Sequence, residues 1–209
     1  MHSIDEKRGG DKRQFLVQYK KYMIIIGLGN PTEKHALDRH NIGFQVLDAY
    51  VEDSESSFSE KAVFEALVAV QGALFFAKPT TWMNDSGLCA KKLFQQYKEL
   101  PVVVYDDIDI PLGQVKCSFG RGAGGHNGVQ SIIDHLGTKD FFRIRVGVRP
   151  VHDELKSHIL PPDGFQNFLL KPFAPFEKEL HEQGVKQACE VIEKLSRGVL
   201  FQDIMNMYN

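Results

Sequence analysis

The sequence predicts a single three-layer α/β/α domain on a mixed, largely parallel twisted sheet. Short apolar runs such as Met23 to Gly27 and Val102 to Tyr105 have the character of strands buried on both faces. Stretches with apolar residues at helical spacing alternate with them along the chain. Predicted hairpins add antiparallel strands, which makes the sheet mixed. With 209 residues there is room for one substantial core.

After the first strand, Ile42, Val46, Leu47 and Tyr50 place a helix over 42–51. Residues 62–70 and 73–78 read as two strands joined around Gln71-Gly72. Asn84-Asp85-Ser86 is a helix start, and Leu88, Leu93 and Phe94 carry that helix to about residue 99. The strand at 102–105 is followed by the acidic run Asp106-Asp107-Ile108-Asp109, and 114–119 alternates as a further strand. A glycine-rich loop from Gly120 to Gly128 opens a helix through Val129, Ile132, Ile133 and Leu136. Ile144, Val146 and Val148, set among Arg143, Arg145 and Arg149, predict a strand with a basic face. Residues 150–166 hold three prolines and one glycine and read as a long mobile loop; helices are expected over 176–196 and 199–207.

Residues 1–22 carry six Lys/Arg against three Asp/Glu and little apolar surface, so they are expected to form a flexible extension preceding a domain at 23–209. Composition is ordinary for a globular protein, at 43% hydrophobic and 25% charged. A net charge of −2 makes any nucleic-acid contact a matter of a local basic patch. No apolar run approaches the ~20 residues that span a bilayer. Three dispersed cysteines fit neither a disulfide framework nor zinc spacing, which points to a reducing cytoplasmic setting.

Gly27-Leu28-Gly29 resembles the start of a dinucleotide fingerprint, but the third glycine is replaced by Thr32 and Pro31 interrupts the expected helix. The glycines fit better as a tight turn presenting Asn30 at the sheet's carboxyl edge. His40, between Arg39 and Asn41, becomes a candidate base if a carboxylate after the 102–105 strand accepts one ring N–H and fixes the tautomer. The same acidic cluster also suits magnesium, or a solvated turn. Asn84 either caps a helix or offers amide hydrogen bonds, with Met83 as an adaptable apolar neighbour. Gly122 to Gly128, including Gly124, Gly125, His126 and Asn127, suits a phosphate or an oxyanion at a helix N-terminus, against the plainer reading of a flexible loop. No Gly-x-Ser-x-Gly elbow occurs, so direct attack by water is favoured over a covalent intermediate.

Taken in order, "GLGNP", "RHNIG", "PTTWMNDSG", "DDIDIPLG" and "GRGAGGHNG" closely resemble bacterial-type peptidyl-tRNA hydrolase, from about residue 23 to the C-terminus. The resemblance implies hydrolysis of the ester joining a peptide to the terminal ribose of tRNA, by a cytoplasmic monomer that recycles peptidyl-tRNA without cofactor, metal or membrane. It implies that His40 is the catalytic histidine and Asp106 the carboxylate orienting it. Asn30, Met83 and Asn84 then lie around the peptide and the base, Asn127 holds water or the carbonyl oxygen, and His126 lies at the cleft. Asn41, Gly124 and Gly125 are further expected substrate contacts.

Departures from the family's pattern are His35 for a tyrosine, Asp38 for a threonine, Ser118 for a lysine and Trp82 for a phenylalanine. Asp38, a negative charge close to His40, is expected to raise the imidazole's pKa. For tRNA phosphates the expected basic face is Lys116, Arg121, Arg143, Arg145 and Arg149. The rival readings are a non-enzymatic RNA-binding relative of the plastid splicing-factor type and a nucleotide-binding oxidoreductase. The set His40, Asp106, Asn30, Asn84 and Asn127 favours the enzyme.

Overall fold

A computed structural model describes residues 22–52, 54, 56–150 and 164–209. The extension expected over 1–22 falls, apart from Tyr22, outside the described residues, as does 151–163 of the expected loop. The strands are β1 (Met23–Gly27), β2 (Ser59–Lys61), β3 (Ala66–Gln71), β4 (Leu74–Pro79), β5 (Val102–Pro111), β6 (Val115–Phe119) and β7 (Phe142–Arg149). They form one sheet in the order β2-β3-β4-β1-β5-β7-β6. The central strands β4, β1, β5 and β7 are mutually parallel; β2, β3 and β6 join antiparallel at the edges. The helices are α1 (Ile42–Glu52), α2 (Ser86–Tyr97), α3 (Asn127–Leu136), α4 (Gly164–Leu169), α5 (Lys178–Ser196) and α6 (Phe201–Met207).

Strand β1 explains its own unbroken apolar sequence, because both its faces are covered. Ile25 joins a cluster with Val46 and Leu47 of α1 and Ala188, Val191 and Ile192 of α5. Ile24 and Ile26 face the other way, against Cys89 and Leu93 of α2 and Val129 and Ile132 of α3. Each such side chain contributes about 1.5–3 kcal/mol when fully buried. Two helical layers over one sheet therefore follow from strands with no polar face.

Several boundaries differ from the sequence reading. The single strand expected over 62–70 is broken by a 3-10 turn at Ala62–Phe64 and by Glu65, whose φ of 50° lies in the left-handed region. A short edge strand, β2, precedes the break. The helix expected to run to 99 ends at Tyr97, with Lys98 at φ 56°. Strand β5 runs on through the acidic residues to Pro111. The segment read as loop to 166 is already helical from Gly164, and the basic face expected of β7 is reduced: Arg143 is fully buried, Arg145 shows only its edge, and Arg149 alone is exposed.

The fold gathers its chemistry at one edge. Gly27 pairs in register with Val104, so Asp106 lies two residues beyond the end of β1 on the same pleat face as Val104. That face is covered by α1. Helix α1 comes unusually close to the strands at Gly43, where a Cβ would overlap the Leu28 nitrogen and the Val104 carbonyl oxygen. The close seat lets the turn just before Gly43 reach over Asp106. Gly43→Ala is expected to cost about 3 kcal/mol, the upper end of overpacking, and to lower Tm by roughly 6–12 °C. An unchanged melting curve would contradict the close seat.

Candidate active site

Asp106 is 3% exposed, and a carboxylate so buried requires hydrogen-bond partners. It has two imidazoles on a single oxygen. His40, in the 3-10 turn Arg39–Asn41, brings Nδ1 to 2.8 Å from Oδ1, and His126 brings Nε2 to 3.0 Å from the same atom. His126 is also the N-cap of α3, its Nδ1 accepting from the Val129 N–H at 3.3 Å. With Nδ1 accepting, Nε2 carries the ring proton and donates to Asp106. The carboxylate takes the Nδ1–H of His40 in the same way, which leaves Nε2 of His40 with a free lone pair.

Burial works against the charged form of His40, but the charge and hydrogen bond of Asp106, with a further contribution from Asp38, outweigh it. The ring therefore holds its proton above the usual 6.5. Burial also disfavours the Asp106 carboxylate, yet the two imidazoles hold it well below the ordinary carboxylate range. Asp38, buried itself, has its carboxylate 2.6 Å from Nδ1 of His35. The acidic residues are not pooled: Asp107 pairs with Arg145 at 2.7 Å, while Asp106 faces the imidazoles. That division speaks against the magnesium alternative at 106–109. His40, Asp106 and His126 do offer ligand atoms within 4.8 Å of one another. Direct hydrogen bonds already join them as a unit.

A cleft of about 690 Å³ opens over this unit, and Asn30, Met83, Asn84, Gly124, Gly125 and Asn127 all line it. Asn30 is oriented from both sides. Its Oδ1 accepts from the Met83 N–H at 3.1 Å, and its backbone is gripped by Asn41. The end of Asn30 left for a ligand is thus the NH2, a donor suited to a carbonyl oxygen. Asn84 and Asn127 are exposed at the rim; Asn84 does not cap α2, whose N-cap is Asp85. Gly124 and Gly125, at φ 60° and 83°, turn the loop into α3 with open space around them.

Two expected contacts are corrected. Asn41 is 1% exposed and uses both ends of its amide on the Asn30 backbone, at 2.9 Å each, so it organises the site from below rather than touching a ligand. Arg143 is fully buried: its two terminal nitrogens donate to the carbonyls of Gly122, Arg121 and Lys139, which ties down the glycine loop, and its unpartnered Nε is sealed from solvent, so no part of it reaches a phosphate. Lys116, Arg121 and Arg145 do converge. They line a second concavity of about 520 Å³, and Arg121 and Arg145 also border the main cleft. Arg149 is exposed at the end of β7.

Sequence reasoning missed the wall made by α4, where Phe165, Gln166, Leu169 and Leu170 line the cleft. Phe165, Phe168 and Leu169 fall at i, i+3 and i+4, a helical signal hidden by the prolines just before it. Arg39, which holds that wall, was also missed.

The family model for peptidyl-tRNA hydrolase matches residues 24–209. Similar chains include the peptidyl-tRNA hydrolases of Aliarcobacter butzleri, 37% identical over 82% of this chain and 91% of that one, and of Thermodesulfovibrio yellowstonii, 36% identical over 90% and 98%. Among solved structures, a mutant peptidyl-tRNA hydrolase from Acinetobacter baumannii superposes with a TM-score of 0.76 at 26% identity, covering 91% of this chain and 95% of that chain.

The geometry predicts how His40 titrates. Its midpoint by NMR is expected above 6.5, and Asp106→Asn should bring it below the wild-type value, with Asp38→Asn causing a smaller fall. Because the folded-state value is raised, the stability that protonated His40 contributes is complete below pH 6.5 and is lost as pH rises through the folded-state midpoint. A His40 midpoint unmoved by Asp106→Asn would contradict the pairing.

Proposed function

This chain belongs to the peptidyl-tRNA hydrolase family and is a hydrolase of peptidyl-tRNA, and from that premise we propose that His40 is the general base that drives water onto the ester. The observation that carries the reading is the His40–Asp106 hydrogen bond, which leaves Nε2 as the basic nitrogen of a residue lining the cleft. Water gives a proton to Nε2 while its oxygen bonds to the ester carbonyl carbon. The tetrahedral intermediate collapses, the carbon–oxygen bond to the terminal ribose breaks, and the leaving oxygen takes the proton back from the imidazolium. Asp106 holds the ring and stabilises its charged form throughout.

Amide donors complete the site. The Asn30 NH2 and Asn127 at the start of α3 are suited to the oxyanion and to the peptide carbonyl. A positioned base contributes about 10²–10⁴-fold and one oxyanion donor about 10²–10³-fold, enough for an ester without a metal. A peptide's amide groups meet the cleft's polar side chains, whereas a free aminoacyl group would place an ammonium there. This supports selection for N-blocked substrates. Arg121, Arg145 and Lys116 are the proposed tRNA contacts; the monomeric state and cytoplasmic setting belong to the same proposal. No described helix is long and apolar enough to cross a membrane.

In EDTA, N-acetyl-aminoacyl-tRNA is expected to be hydrolysed rapidly and unblocked aminoacyl-tRNA spared. His40→Ala should lower kcat by about 10²–10⁴-fold while tRNA binding persists. Full activity in that variant, or dependence on a divalent ion, would overturn the mechanism. Arg121→Ala is expected to weaken tRNA binding and to flatten the slope of log affinity against log salt by about 1. An unaltered slope would remove Arg121 from the interface.

A further inference from the structure

Arg39 neighbours the proposed base in sequence yet reaches away from the cleft into a site built for its guanidinium. It is 5% exposed. Its fork donates to the carbonyl oxygens of Lys171, at 3.3 Å, and Pro172, and it pairs with Glu177. The rings of Phe168 and Phe173 lie 4.3 and 4.8 Å from the guanidinium carbon. Main-chain contacts run alongside: the Arg39 N–H donates to the Lys171 oxygen at 3.1 Å, and Asp38 bridges to Pro172. Glu177 is held in turn, its Oε2 accepting from the Ala174 N–H at 2.7 Å. A buried ion pair is a poor device for stability alone, because desolvation offsets most of its attraction. Its value lies in geometry.

The element so fastened is α4. Six residues are too few for a helix to persist by itself, so its order comes from what it docks against. Its Phe165 and, just past its end, Leu170 are exposed apolar side chains that line the same cleft as His40. Resting on the hydrolase reading above, we propose that Arg39 is a positioning residue: it locks the α4 wall to the turn carrying His40, so that apolar side chains of the substrate's acyl group are gripped next to the scissile ester. The wall then favours acyl groups ending in large apolar residues over glycine.

Two variants test this. Arg39→Lys keeps the charge but cannot fork between two carbonyls and a carboxylate; Glu177→Gln keeps the volume and loses the charge, and serves if the first fails to fold. For N-acetyl-leucyl-tRNA, KM is expected to rise about tenfold in either variant, with kcat near wild type, as loss of uniform binding does. For N-acetyl-glycyl-tRNA the rise should be much smaller. Amide exchange at Leu170 and Lys171, which donate to the carbonyls of Gln166 and Phe168, should accelerate, and the acid limb of the pH profile should stay in place. A KM that is unchanged, or raised equally for both substrates, overturns the role of Arg39. A wild type that hydrolyses neither substrate overturns the proposed function and this role with it, a result distinct from an active wild type with indifferent variants.

Discussion

A single carboxylate oxygen, Oδ1 of Asp106, accepts hydrogen bonds from two imidazoles that arrive from different layers of the fold. His40 comes from the turn before α1 and His126 from the N-terminus of α3. Neither ring has freedom of tautomer once the other contacts are made. His126 must use its lone pair as a helix cap, and His40 must give its Nδ1 proton to the acid. The consequence is an imidazole at residue 40 with one available nitrogen, raised affinity for a proton, and a direction.

The same economy governs the asparagines. Asn41 uses its whole amide on the backbone of Asn30, and Asn30 uses its carbonyl oxygen on Met83, so a chain of fixed amides ends in one NH2 for a ligand. Such pre-organisation matters because a polar site in a partly closed cleft gains strength only when its donors need not reorient. In the proposed role, Arg39 performs the corresponding task for apolar surface. Asn41 and Arg39, through which the amide chain and the α4 segment are held, both belong to the short turn Arg39–Asn41.

Much of this was legible in the sequence where local chemistry and position coincide. Continuous apolar strands marked the sheet centre, and the glycine-rich turns marked the edge where Asn30, Met83, His40, Asp106 and Asn127 meet. What failed did so for specific reasons. Arg143 looked like a surface charge because alternation in a strand suggests a wet face, but the carbonyls of Gly122 and Arg121 come round to accept from its terminal nitrogens and bury it. Asn41 looked like a ligand contact because it adjoins His40, whereas the 3-10 turn sends it inward. The first half of helix α4, residues 164–166, was read as loop because nearby prolines outweighed three well-spaced apolar residues. In each case a tertiary partner distant in sequence decided the outcome, and no pattern within one segment records that.

The account depends most on which nitrogens bear protons, and 15N chemical shifts of the labelled imidazoles above the His40 midpoint read this directly. The expected result is opposite tautomers in the two rings: Nδ1 protonated and Nε2 bare in His40, Nε2 protonated and Nδ1 bare in His126. A His40 ring carrying its proton on Nε2 would leave no base facing the cleft and would contradict the account.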